Sequence, residues 1–267
     1  MRRAAHQLLD RPLVFEDPLA EQILGTWAKQ RLREDIKNET PFSVQMRAWL
    51  AARSRLAEDM LAEAVADGTR QYVVLGAGMD TFGYRNTWAD LRVFEVDFPA
   101  TQAWKQELLA SNSISVPDSV TFAPVDFERE SLAEGLARVG FKRDEPAFFS
   151  WLGVTMYLSR ETTLGTLRWV HDSCERNGIC FDYMAPRESL GFRAKLAFDR
   201  LAQRVAAAGE PFVGFFAPQE LAANLREIGY ARVDDWDAAR LNAQYFRDRA
   251  DGLRVAGSLG NIMCARG

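Results

Sequence analysis

Apolar positions in residues 1–70 fall at helical spacing, and no stretch there reads as a strand. Leu19, Ile23, Leu24 and Trp27 share one helical face. Trp49, Leu50, Leu56, Met60, Leu61 and Val65 repeat the pattern with charges between them, and Pro12, Pro18 and Pro41 punctuate the region. The pattern predicts an N-terminal helical cap over 1–70. From Gln71 the texture changes to short apolar runs at 72–75, 91–96, 120–125, 147–151 and 179–183. Amphipathic stretches at 99–111, 129–139, 160–175 and 188–208 lie between most of them. Strands alternating with helices predict a parallel sheet with helices on both faces. The tail adds a helix at 219–228, a strand at 231–236, a short helix and a last strand at 258–265, a β-α-β ending rather than another crossover unit. The second expected unit is therefore a core over 71–267, with a lid within 185–218.

Composition narrows the class. The 267 residues are 48% hydrophobic, enough for one α/β domain with additions. The formal net charge of −4 is unlike the basic footprint of a nucleic-acid binder. Two histidines, His6 and His171, and three cysteines, Cys174, Cys180 and Cys264, match no metal-site spacing, so no metal is expected. The thiols read as structural, in a reducing compartment. No apolar run has the roughly 18 residues of a membrane span, and the N-terminus has no hydrophobic signal core, so a cytoplasmic chain without membrane association is expected. The opening on a basic helical segment predicts a few further residues upstream.

Candidate chemistry gathers at three strand ends. The first run stops at Gly76-Ala77-Gly78, where glycine permits positive φ and close approach to a ligand. No glycine follows until Gly83, so this is not the Gly-x-Gly-x-x-Gly of dinucleotide enzymes. The second run ends at Asp97, 19 residues after Gly78, where an acid can accept ribose hydroxyls or cap the following helix. Glu95 reads as structural. The third run ends at Asp126-Phe127, an acid-aromatic pair suited to an adenine ring and equally to a helix cap. Together they mark the carboxyl edge of a parallel sheet, where such folds bind ligands.

On these residues the chain resembles the leucine carboxyl methyltransferase family, a branch of the class I S-adenosyl-L-methionine (SAM)-dependent methyltransferases. The matching stretches are Ala52-Arg53, 74–81, 94–99, 125–127, 149–158 and 181–183, and the resemblance covers most of 2–265. The family includes enzymes that esterify a protein C-terminus, a tRNA-modifying branch, carboxyl O-methyltransferases of aromatic polyketide pathways and bacterial small-molecule members. The resemblance implies a Rossmann-like class I sheet, mostly parallel with the last strand antiparallel, and SAM as cofactor. It implies Arg53 on the SAM carboxylate, with Arg2 or Arg3 as a second basic contact. Gly76, Ala77 and Gly78 would lie under the methionine part, Asp97 at the ribose, and Asp126 with Phe127 at the adenine. Leu152 stands where some members carry a glutamate facing the charged methionine end, which leaves the α-amino group to other acceptors.

The expected reaction is O-methylation of a small-molecule acceptor, above all a carboxylate. A carboxylate is ionised at neutral pH and needs no general base, which suits a histidine-poor chain. Acceptor-side candidates are Tyr157, Tyr183 and His6, while His171 reads as a surface residue. The aromatic segment 209–218 reads either as a lid or as a loop packed on the sheet. The alternatives are a hydroxyl or phenol acceptor, a non-catalytic SAM-fold binding protein, an NAD-dependent dehydrogenase and, by family relation, an RNA methyltransferase. The last two are opposed by the missing third glycine and by the acidic balance. Acceptor identity, ester or ether product and oligomeric state stay open.

Overall fold

The computed structural model describes residues 1–126, 129–207, 209, 211–256 and 260–267, without the side chains of residues 193, 194, 197 and 204. Helices α1 (Arg2–Leu9), α2 (Leu19–Gln22), α3 (Thr26–Lys37) and α4 (Pro41–Ala66) precede the first strand. The order then runs β1 (Gln71–Leu75), β2 (Arg92–Asp97), α5 (Pro99–Ser111), β3 (Val120–Pro124), α6 (Leu132–Arg138), β4 (Ala147–Trp151), α7 (Arg160–Asp172) and β5 (Asn177–Tyr183). It closes with α8 (Phe192–Ala207), α9 (Pro218–Ile228), β6 (Arg232–Trp236), α10 (Ala238–Tyr245) and β7 (Asn261–Arg266). A short 3-10 turn, Phe82–Tyr84, stands between β1 and β2 in place of a full helix.

The strands form one seven-stranded sheet in the order β3-β2-β1-β4-β5-β7-β6. Pairings from β3 to β5 are parallel, and β7 is antiparallel to both β5 and β6. The chain moves outward from β1 through β2 to β3, then returns to β4 on the other side. That reversal opens a crevice beyond the carboxyl ends of β1 and β4.

Every residue of β1, β4 and β5 is buried, as strands covered on both faces must be. Alternation sends Tyr72 and Val74 to one face and Val73 and Leu75 to the other. The first face packs on α4, whose Ala48, Ala52, Leu56 and Leu61 recur at helical spacing. The second packs on α7 and α9 through Leu167, Val170, Leu221 and Leu225.

Helix α4 is the longest element, 26 residues or roughly 39 Å at 1.5 Å per residue. Its start is fixed by local chemistry. Thr40 accepts from the Ser43 N–H, the Ser43 hydroxyl accepts in return from the Thr40 N–H, and Pro41 occupies the first turn. The same device shortens the helix expected from 129. Ser131 Oγ accepts from Glu134 N at 3.2 Å and Glu134 Oε2 accepts from Ser131 N at 2.8 Å, so α6 begins only at Leu132. The last strand begins at Asn261 rather than at 258, and residues 258 and 259 of the expected run lie outside the described ones. The three cysteines are buried free thiols, with Cys180 and Cys264 paired across β5 and β7. No described helix is long and apolar enough to cross a membrane.

Candidate active site

The crevice is built on the turn after β1. Gly76 and Gly78 both have positive φ, +67° and +44°. A Cβ on Gly76 would lie 2.6 Å from Val154 Cγ2, so the turn and the segment after β4 touch only because residue 76 has no side chain. The Ala77 N–H donates to Val96 O at 3.0 Å and ties the turn to β2.

Asp97 faces this turn from the end of β2. Its Oδ2 accepts from Gly78 N at 2.5 Å and its Oδ1 from Phe98 N at 2.7 Å. The carboxylate is thereby held at the crevice, with lone pairs to spare on both oxygens. Two residues earlier, Glu95 points into the protein. Its Oε2 accepts from Lys105 Nζ at 2.7 Å and Tyr84 OH at 2.9 Å, all beneath the crevice floor. Burial pushes the Glu95 carboxyl above its ordinary range, opposed by the Lys105 charge.

Two cavities meet at Leu75, Gly76 and Gly78. The smaller, about 260 Å³, is lined by Arg2, Arg3, Arg53, Asp80 and Leu152 among others. Arg3 donates from Nη1 to Asp80 Oδ2 at 3.2 Å and from Nη2 to Met79 O. Burial alone would raise the Asp80 carboxyl, but the charges of Arg3, Lys105 and Arg85 hold it below the usual range. Arg53, on α4, donates from Nη1 to Asp182 Oδ2 at 2.6 Å, and its Nε is buried without a partner among the described residues.

The larger cavity, about 1000 Å³, is mostly apolar, with Phe98, Leu132, Trp151, Val154, Leu158 and Val213 in its wall. Its acids are Asp97 and Glu130, and its described lining has no Lys, Arg or His. Glu130 is engaged by Arg138 at 2.5 Å. The wall also carries Tyr157, whose ring lies 5.6 Å from that of Phe212. The aromatic segment is fastened across this wall. Val213 N and Gly214 N donate to Met156 O at 2.8 and 3.0 Å, and Phe216 N to Met184 O at 2.9 Å. Among the described residues, no group of three His, Cys, Asp or Glu side chains is placed to hold a metal ion.

The structure brings Arg53, Gly76, Ala77, Gly78 and Leu152 to the smaller cavity, and Gly76, Gly78, Asp97 and Tyr157 to the larger. Asp126 follows β3 by two residues and is in the described lining of neither cavity; its Oδ2 lies 3.4 Å from Arg129 Nε. Phe127 lies outside the described residues.

Two acceptor-side candidates, Tyr183 and His6, are in the described lining of neither cavity. Tyr183 is buried away from both cavities. Its hydroxyl donates to Asp235 Oδ1 at 2.8 Å, and burial pushes the phenol far above its ordinary pKa. His6 is fully buried with both ring nitrogens occupied. Its Nε2 accepts from Val14 N and Phe15 N at 3.1 and 3.2 Å, which puts the proton on Nδ1, 2.7 Å from Asp10 Oδ2. Arg47 completes the knot with Nε and Nη2 bonds of 2.7 and 3.0 Å to the same carboxylate. No proton site remains for an acceptor.

Asp182 and Asp80 were not singled out from the sequence. The signal for Asp182 was an acid inside an otherwise apolar, wholly buried strand.

Comparisons with known proteins give the family and the fold. The family model described as leucine carboxyl methyltransferase matches residues 1–171. YktD of Bacillus subtilis (strain 168), provisionally named an S-adenosyl-L-methionine-dependent methyltransferase, is 30% identical over 94% of this chain and 90% of its own length. Rv3787c of Mycobacterium tuberculosis (strain ATCC 25618 / H37Rv), with the same provisional name, is 34% identical over 58% of this chain and 52% of its own. The fold matches that of magnesium protoporphyrin IX methyltransferase (ChlM) from Synechocystis PCC 6803, solved with bound SAH, at a TM-score of 0.52 and 11% identity over 93% of this chain and 97% of that one. The chain therefore belongs to the leucine carboxyl methyltransferase family and is a SAM-dependent methyltransferase of the class I fold.

Proposed function

We propose that the protein transfers the methyl group of SAM to a carboxylate oxygen of a small, largely apolar acceptor. Asp97 would hold the ribose hydroxyls, and Arg53, assisted by Arg3, the methionine carboxylate. Gly76 to Gly78 would run beneath the chain between them, and Asp126 with Phe127 would flank the adenine. Asp80, ionised and beside the glycine turn, would take the α-amino group in place of the acid that Leu152 lacks. Helices α1 to α3 would act as a cap over the methionine end and the fastened segment 211–216 as a wall of the acceptor site. The residues fit the cofactor: Arg53 lines the smaller cavity with a buried Nε that has no partner among the described residues, and Gly76 and Gly78 line both cavities with bare backbone.

When bound, the cofactor supplies an electrophilic methyl group on a positively charged sulfur. The protein's own residues align, desolvate and exclude water. A cavity of about 1000 Å³ lies at the upper end for small-molecule sites and has room for a nucleoside and an acceptor together.

The observation that carries the carboxylate reading is that the larger cavity's described lining holds no His, Lys or Arg, and that of its two acids this reading gives Asp97 to the ribose while Arg138 engages Glu130. Asp97 is held by two backbone N–H groups and Glu130 by Arg138. An acceptor that needs deprotonation finds no partner there, whereas a carboxylate arrives ionised. Its charge and the sulfonium charge also disappear together on transfer, which an apolar wall favours over water.

The test is incubation with methyl-labelled SAM and matched carboxylic acids and phenols, followed by mild alkali. Methyl esters release labelled methanol and methyl ethers do not. Alkali-labile product from the acids, formed at a rate flat from about pH 6 to 8, is expected. Alkali-stable product from phenols alone overturns the reading.

A further inference from the structure

Asp182 sits at the end of β5, only 1% exposed, and lines neither cavity of the crevice. Both its carboxylate oxygens are nonetheless committed to the site's edge. Oδ1 accepts from Gly153 N at 2.6 Å, in the segment after β4, and Oδ2 accepts from Arg53 Nη1 at 2.6 Å, on α4. Its main-chain oxygen accepts from Thr155 Oγ1 at 2.5 Å. Two elements far apart in sequence, α4 and the segment after β4, thus converge on one carboxylate of β5. Gly153 completes the arrangement. Its φ is +79°, and a Cβ there would lie 3.1 Å from Arg53 Nη1, so the backbone makes room for the guanidinium.

We propose that Asp182 is a positioning residue for cofactor binding: it acts through Arg53, fixing the guanidinium so that its remaining donors meet the methionine carboxylate. The inference rests on the cofactor arrangement proposed above. An arginine on a helix has many rotamers, and a guanidinium clamp is effective when its planar fork is already oriented. One Asp182 oxygen is anchored to rigid backbone and the other engages a single nitrogen, Nη1, leaving Nε without a partner among the described residues. Being buried, Asp182 cannot touch the ligand, so its effect appears only on ligands that use Arg53.

Calorimetric titration of the full chain with S-adenosylhomocysteine (SAH) and with 5′-methylthioadenosine separates this role from a structural one. The second ligand keeps the nucleoside and lacks the amino-acid carboxylate. Asp182→Asn, which retains the acceptor for Gly153 N, is expected to weaken SAH roughly ten- to hundredfold, the worth of one charged hydrogen bond. Binding of 5′-methylthioadenosine should be unchanged. Adding Asp182→Asn to Arg53→Gln should weaken SAH no further than Arg53→Gln alone. Gly153→Ala, which presses on Nη1 from the other side, should show the same ligand-selective loss and serves if Asp182→Asn does not fold. Equal losses for both ligands, or no loss for SAH, overturn the inference while leaving the cofactor arrangement standing. Failure of the folded wild type to bind SAH overturns both.

Discussion

Gly76→Ala tests the contact on which the crevice depends. Two costs add. Residue 76 has φ +67°, a conformation that costs a side chain about 1–2 kcal/mol. The new Cβ would lie 2.6 Å from Val154 Cγ2, where about 3.5–4.0 Å is comfortable, and overpacking of this kind costs about 1–3 kcal/mol. The sum, about 2–5 kcal/mol, corresponds to a fall in melting temperature of roughly 4–20 °C for a chain of this size. Thermal unfolding by circular dichroism measures it. Val154→Ala removes the clashing methyl without relieving the φ strain, so the double variant should recover about 1–3 kcal/mol relative to additivity. Because Val154 also lines the larger cavity, the single variant should weaken SAH binding and the double variant restore part of it. Strictly additive stabilities, or a Gly76→Ala protein as stable as wild type, would refute the reasoning.

Three further outcomes are expected. Lys105→Met strands Glu95 in the interior and should cost roughly 3–5 kcal/mol near neutral pH, with recovery in the Glu95→Gln/Lys105→Met double variant. Burial already raises the folded-state pKa of Glu95, and loss of the lysine raises it further, so the variant's deficit against the wild type should open as pH rises past the wild type's own raised value and vanish below it; a pH-independent deficit in urea unfolding contradicts this. His6→Ala leaves the Val14 and Phe15 N–H groups without an acceptor and should lower stability by about 1–3 kcal/mol, so an unchanged urea midpoint would contradict the structural assignment. A Cβ on Gly214 would run into Thr155 O and lie 2.7 Å from Leu158 O, so Gly214→Ala should lift the 211–216 segment off the turn after β4. Faster proteolysis near residue 213 reads this out, and unchanged cleavage counts against the fastening.

What the sequence made legible follows from how a doubly covered sheet is written. Its central strands are near-continuous apolar runs, and each ends where chemistry begins, at Gly76, Asp97 and Asp126. Asp97 could be singled out because it closes such a run at the carboxyl edge of the sheet. Asp182 was harder to place because it lies inside its run, and its partners come from α4 and from the segment after β4, contacts fixed only by tertiary packing. The setting of Tyr183 was hidden for the same reason. Neighbouring strand residues face opposite ways, and the register of β5 against β7 turns its hydroxyl to Asp235 rather than to the crevice. His6 lies in the cap near the smaller cavity, and only the fold of residues 10–15 around its ring reveals that both nitrogens are taken. The hold of Met156 O and Met184 O on residues 213–216 joins segments far apart in sequence and carries no local signal.

Asp97 is the residue proposed to anchor the nucleoside. Its carboxylate lines the larger cavity while two backbone N–H groups hold it in place, so Asp97→Ala should remove the proposed ribose contacts, and thermal unfolding reads what the loss of the two N–H acceptors costs the fold. Calorimetric titration with SAH, beside thermal unfolding of both proteins, is the measurement. Micromolar binding by the wild type that falls roughly a hundredfold or more in a folded Asp97→Ala protein is the expected result, as for loss of charged hydrogen bonds. Equal binding by the two proteins would contradict the site described here.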